Sequence, residues 1–270
     1  METALDCRQL VVRIGDRLFG ISIDTVQEML ELPALTTLPG VPNCVRGVMN
    51  LRGRVVPVLD LRVALGMSQL TREVEALCAQ LGQRQEEHHR WLSDLEASID
   101  QHRRFTGESD PARCPFGKWH AEFQTANRQI AAFMSRFEKP HQRIHALAHE
   151  VQALLNDGKE AAARELVASV RSIELAALNQ LFEQLPTMIR TSTREVAVLL
   201  KADGKEFGVS VDEVVAVETL SKVDDRHEVL ESFGMSNMAS GIAKRTDDKL
   251  VLLLDIAALT EGVFAAAAER

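Results

Sequence analysis

Three stretches concentrate residues able to do chemistry. In "CPFGKWH" (114–120) a cysteine precedes a proline, a glycine, a tryptophan and a histidine. In "EEHHRWL" (86–92) a histidine pair precedes a tryptophan, and "EKPHQRIHALAHE" (138–150) carries His141, His145 and His149. The chain has two tryptophans and no tyrosine, and both, Trp91 and Trp119, stand next to these imidazole or thiol groups. On a helix His141 and His145 lie on one face, one turn above the other. Two such imidazoles can bind one ion, with His149 the next candidate one turn on. A third imidazole from a facing helix and one thiolate would complete a tetrahedron. Zinc accepts that mixture at about 2.3 Å to sulfur and about 2.0 Å to nitrogen. Blander readings stand beside this one. HxxxH pairs are common on helix surfaces, a buried His88 also suits a hydrogen-bonded core position, and Cys114 suits a small apolar filler. Hydrolytic zinc chemistry would call for HExxH with a glutamate base, whereas Gln142 and Ala146 follow the two histidines.

Helices must position these groups. From about Ser68 to Leu185 nearly everything has helical period. A first helix over about Leu70–His102 has the seam Val74, Leu77, Leu81, His88, Trp91, Leu95, which turns one face to a core. His88 then points inward beside Trp91, and His89, rotated by about 100°, faces solvent. A third helix opens near Glu138, with Pro140 suited to its first turn. A fourth covers about Gly158–Leu185, with Leu166, Val170, Ile173, Leu178 and Leu181 facing in. An up-down bundle of four helices returns its ends to one pole, so it can enter a surface loop of another domain.

The flanks read as β. Residues 8–65 and 194–259 hold short β-branched runs punctuated by turns, and the two blocks echo each other. "RLFGISIDTV" (17–26) aligns with "KEFGVSVDEV" (205–214), and "VVPVLDLRVAL" (55–65) with "LVLLLDIAAL" (250–259). The expected organisation is one duplicated β domain, residues 1–66 and 191–270, interrupted by a helical module over 67–190.

Two resemblances sharpen this. "HHRW", "CPFGKW" and "HQRIH", in that order, resemble the chemoreceptor zinc-binding domain (CZB) over roughly 70–187. That resemblance implies His88, Cys114, His141 and His145 as ligands of one Zn2+ per chain. It gives Trp91 and Trp119 a supporting role as walls of the site, and Gly117 the tight turn that brings Cys114 to the bundle. "GVMNLRGRVVPVLDLR" with "IDTVQEMLELPALTTLPGVPNCVRG" resembles the CheW-like domain of bacterial chemotaxis. The implied fold is a double β-barrel of two small five-stranded barrels with an inserted antiparallel four-helix bundle. The implied role is a non-enzymatic adaptor between the cytoplasmic tips of chemoreceptors and the histidine kinase CheA, with Val26, Glu28 and Arg52 as partner contacts. By themselves Arg52 suits a solvated turn, Asn50 a turn former and Val26 ordinary core. Together the resemblances imply a coupling protein whose bundle senses zinc, or an oxidant through the redox-reactive Cys114. The alternatives are a scaffold with purely structural zinc and a zinc hydrolase. CZB kinship also allows a homodimer through the bundle.

Bulk properties agree with a soluble adaptor. A formal net charge of -8 disfavours nucleic acid and anionic membrane as partners. No apolar run is long enough for a membrane span, and "METALDCRQL" lacks the features of a signal peptide. A cytoplasmic location at receptor arrays is expected, with Cys7, Cys44, Cys78 and Cys114 as thiols.

Overall fold

A computed structural model describes residues 7–125, 127–224 and 238–261. The chain divides into two compact units, one taking residues up to Glu73 and from Thr193 onward, the other Val74–Ser192.

The first unit holds β1 (Cys7–Ile14), β2 (Arg17–Ser22), β3 (Val26–Glu31), β4 (Val45–Leu51), β5 (Arg54–Asp60), β6 (Val196–Ala202), β7 (Lys205–Val211), β8 (Glu213–Asp224), β9 (Ala239–Lys244) and β10 (Leu250–Leu254). Strands β1, β2, β10, β9 and β8 form a closed barrel; β3, β6, β7, β5 and β4 form a second five-stranded sheet. The expected two five-stranded β units are present, and among the described residues the second has no strand ladder between its edges. Its edges β3 and β4 are linked past the end of β3, where Thr36 and Val48 exchange backbone hydrogen bonds of 2.9 and 2.8 Å. Gly47 makes that approach passable: its φ is 142°, and a Cβ there would stand 2.2 Å from the Thr36 carbonyl oxygen.

The sequence repeat becomes an exchange of strands. Hairpin β1–β2 of the first block takes β10 of the second as a parallel neighbour, with Leu253 opposite Gly20. Hairpin β6–β7 of the second block takes β5 of the first, with Val58 opposite Gly208. The aspartates that close the repeats act alike: Asp60 accepts from the Val63 N–H at 3.2 Å and Asp255 from the Ala258 N–H at 3.0 Å, each capping the turn after its strand. Leu10, Val12, Ile14, Phe19 and Ile21 of the barrel pack with Val198, Leu200, Phe207, Val209 and Val211 of the sheet in one core. A helical interruption can thus separate the blocks in sequence while both sheets still need both.

Helix α1 (Leu61–Ala64) carries Arg62, whose residue exposure is 2 %. Burial opposes its charge, but Glu73 and Asp212 hold the guanidinium protonated and raise its pKa. Arg62 donates to both carboxylates and to the Ser68 carbonyl. Glu73 lies in the first turn of α2 (Leu70–Asp100).

The second unit contains the rest of α2, then α3 (Pro115–Glu122), α4 (Arg128–Met134), α5 (Glu138–Asn156), α6 (Glu160–Val170) and α7 (Ala176–Ser192). Its two ends lie at one pole, where Arg190 grips Glu75 through two hydrogen bonds of 2.8 Å. Three details depart from the sequence reading. The second antiparallel element is two short helices, α3 and α4. His89 does not face solvent: it is half-buried, with Nε2 2.9 Å from Asn179 Oδ1. Ile173 faces out, 61 % exposed. A single π-turn, Arg171–Leu175, joins α6 to α7. It adds a residue to one turn, so the inward phase steps from Val170 to Leu175 and passes Ile173 by.

Candidate metal centre

Helix α2 presents His88 on its core face, 4 % exposed, in the same stripe as Leu81, Leu92 and Leu95. Helix α5 presents His141 and His145 one turn apart, 6 % and 1 % exposed. Cys114 is the N-cap of α3 and its Sγ accepts from the Gly117 N–H at 3.2 Å. The four residues nominated from sequence lie together, with one donor atom from each and all four atoms within 4.8 Å of one another. The Cys114 Sγ–His141 Nε2 distance is 3.2 Å. Tetrahedral zinc with the bond lengths given above separates neighbouring donors by about 3.3–3.5 Å, so modest closure suffices.

The tautomers point the same way. His88 Nδ1 lies 2.7 Å from the Arg84 carbonyl and His145 Nδ1 lies 3.0 Å from that of Glu108. A carbonyl only accepts, so each Nδ1 carries the proton and each Nε2 keeps its lone pair. Those two Nε2 atoms are buried and have no hydrogen-bond partner among the described residues. Orphaned buried polar atoms are rare and need an explanation; a cation between them, His141 and the thiol provides one. Burial lowers the pKa of all three imidazoles, of His141 to about 3 and of His145 to about 4, with their mutual repulsion adding to the shift for His141 and His145. They are therefore neutral donors at neutral pH. Burial raises the Cys114 pKa, against hydrogen bonds from the Gly117 and Phe116 N–H groups, so a bound cation must displace its proton.

The surroundings differ in part from the sequence reading. Trp91 touches a nominated ligand, its ring 5.0 Å from that of His145. Trp119 is one ring removed: it packs on Phe116 and Phe123. Phe116, missed in the sequence, is the ring that packs on His88 at 5.7 Å and His141 at 5.0 Å. Its place inside the cysteine motif, two residues after Cys114, was the available signal. Gly117 has no positive φ, so a tight turn is not what requires it. A Cβ there would stand 1.8 Å from the Pro111 carbonyl oxygen, and that close approach is the reason for glycine. His149 is exposed and outside the cluster, and His120 Nε2 lies 3.0 Å from the Met134 carbonyl.

In the first unit, Arg52 and Glu28 form an ion pair of 2.7 Å at the surface. Arg52 takes φ 53° at the tip of the β4–β5 hairpin, with the Asn50 side chain accepting from the Gly53 N–H at 2.8 Å. Val26 is half-buried against the core. No helix among the described residues is long and apolar enough to cross a membrane.

Comparisons with known proteins divide the chain in the same sense. The CheW-like domain model matches residues 8–84 and 169–263, and the chemoreceptor zinc-binding domain model matches 88–152. Protein PilI of Pseudomonas aeruginosa is 46% identical over 54 residues, which is 20% of this chain and 30% of that protein. The probable chemotaxis protein CheW of Rhizobium etli is 43% identical over 61 residues, 22% of this chain and 39% of that one. The chain thus spans about a third of the length of the curated relatives it matches. The scaffolding protein TtCheW from Thermoanaerobacter tengcongensis superposes over 95% of this chain and 94% of its own, at 14% identity and a TM-score of 0.42, too distant to argue from. The chain belongs to the CheW-like domain family, its two parts separated by a chemoreceptor zinc-binding domain.

Proposed function

We propose that this protein is a chemotaxis coupling adaptor, joining the cytoplasmic tips of chemoreceptors to the histidine kinase CheA, and that occupancy of its metal centre biases the coupling. Family membership and the chemotaxis relatives support the adaptor part. The metal part is carried by one observation: the buried, partnerless Nε2 atoms of His88 and His145 beside Cys114 and His141. The ligand set we infer is His88, Cys114, His141 and His145, for one Zn2+ per chain. The ion would supply a cross-link among α2, the start of α3 and α5. Four protein ligands leave no open position for a substrate water, which favours a non-enzymatic role. Val26, Glu28 and Arg52 are the proposed partner contacts. Oxidation of Cys114 would remove a ligand and act as metal loss does. A homodimer through the bundle and residence in cytoplasmic receptor arrays complete the proposal.

The test is kinase activity in reconstituted receptor–CheA assemblies, with and without a zinc chelator. We expect chelation to change the activity supported by the wild-type adaptor and to leave that supported by Cys114→Ala unaffected. Equal activity with and without zinc in the wild type would reduce the metal to a structural part.

A further inference from the structure

Trp91 reaches the metal centre by a second route besides its ring. Its indole N–H donates to the carbonyl of Glu108 at 2.8 Å, and the same oxygen lies 3.0 Å from His145 Nδ1. One carbonyl has two lone pairs and accepts both bonds. The donors come from α2 and α5, whereas the acceptor sits in the irregular segment between α2 and α3 that ends at Cys114. A carbonyl there has no helical or sheet ladder to hold it and takes its position from its donors. The indole ring is held edge-on against Phe105 at 5.1 Å and tilted against the His145 ring at 5.0 Å.

We propose that Trp91 is a positioning residue for the metal centre: by holding the Glu108 carbonyl it fixes the tautomer and ring plane of His145, so that Nε2 of that residue faces the other three donors. This rests on the zinc reading above. Were Trp91 only an apolar wall, phenylalanine would serve as well.

The test is zinc affinity of the full chain, measured by competition with a chromophoric chelator. Trp91→Phe keeps an aromatic ring and removes the N–H. Outer-shell partners of metal-bound histidines typically control affinity by 10–100-fold, so we expect Kd for zinc to rise about tenfold or more. The zinc-induced gain in Tm should shrink, and the proton signal of His145 Nδ1–H should move. Trp119→Phe should change none of these. Benzothienylalanine at position 91, which replaces the N–H by sulfur at nearly constant shape, keeps the test valid if Trp91→Phe folds poorly. Wild-type affinity in the Trp91 variants, with zinc lost in His145→Ala, would overturn the positioning role alone. Wild-type affinity in His145→Ala would overturn the ligand set and this inference with it.

Discussion

The Sγ of Cys114 lies 3.2 Å from Nε2 of His141, across a sequence separation of 27 residues. One atom belongs to the cap of a short helix and the other to the core face of a long one. Beside them lie the Nε2 atoms of His88 and His145, buried and without a hydrogen-bond partner among the described residues, so two of the four donors have lone pairs that no neighbour uses.

Removing one donor should therefore remove most of the affinity. Structural zinc sites contribute about 10–16 kcal/mol in small peptides, and a quarter of that corresponds to roughly 100-fold or more in Kd. Cys114→Ala and His141→Ala should each lower zinc content from one ion per chain to a small fraction under chelator competition, read by inductively coupled plasma mass spectrometry. Wild-type content in both variants would exclude the set.

Acid should destabilise the metal-free protein. Burial holds His141 at about 3 and His145 at about 4, and lowers His88 also, whereas each sits near 6.5 when unfolded. The unfolded chain then binds more protons below pH 6.5, so the histidines' stabilising effect is full above that value and declines as pH falls toward 4. Each proton taken up contributes a slope of up to about 1.4 kcal/mol per pH unit. Urea midpoints in chelator should fall between pH 6.5 and 4.5, and less steeply in His141→Leu. An equal slope in the two proteins would contradict the assignment.

The partner surface should be separable from the metal. The Arg52–Glu28 pair is exposed, with 75% of the Arg52 side-chain surface free, and such pairs contribute about 0–1 kcal/mol to stability. Arg52→Ala should shift Tm little and leave zinc content at one per chain. It should weaken pull-down of receptor or kinase several-fold; undiminished binding would remove Arg52 from the interface.

Gly117 should tolerate no side chain. With the Pro111 carbonyl 1.8 Å from where a Cβ would stand, Gly117→Ala must displace the segment ending at Cys114. We expect a loss of about 2 kcal/mol or more, with reduced zinc affinity. Wild-type affinity and Tm would mean that the segment yields without disturbing the cap.

Much of this was legible in the sequence because local patterns carry it. The helical stripe through Leu81, His88 and Leu95 placed His88 inward, and the echo of 17–26 in 205–214 anticipated two related β units. What escaped depends on distant partners or on one extra residue. The π-turn at Arg171–Leu175 leaves no mark in the sequence, and a 3.6-residue pattern puts Ile173 inward. Helical phase alone turns His89 to solvent, because its partner Asn179 is 90 residues away. The exchange of β5 and β10 between the blocks joins strands far apart in sequence, which period-two alternation does not encode. Phe116 packs on two of the nominated ligands; its place in the cysteine motif is a signal in the sequence, but its two partners stand on α2 and α5.

X-ray absorption at the zinc edge, on the protein loaded with one equivalent of zinc, tests the central claim most directly. The account predicts one sulfur at about 2.3 Å and three imidazole nitrogens at about 2.0 Å, with no oxygen ligand. A spectrum without sulfur, or with a water oxygen in place of an imidazole, would contradict it.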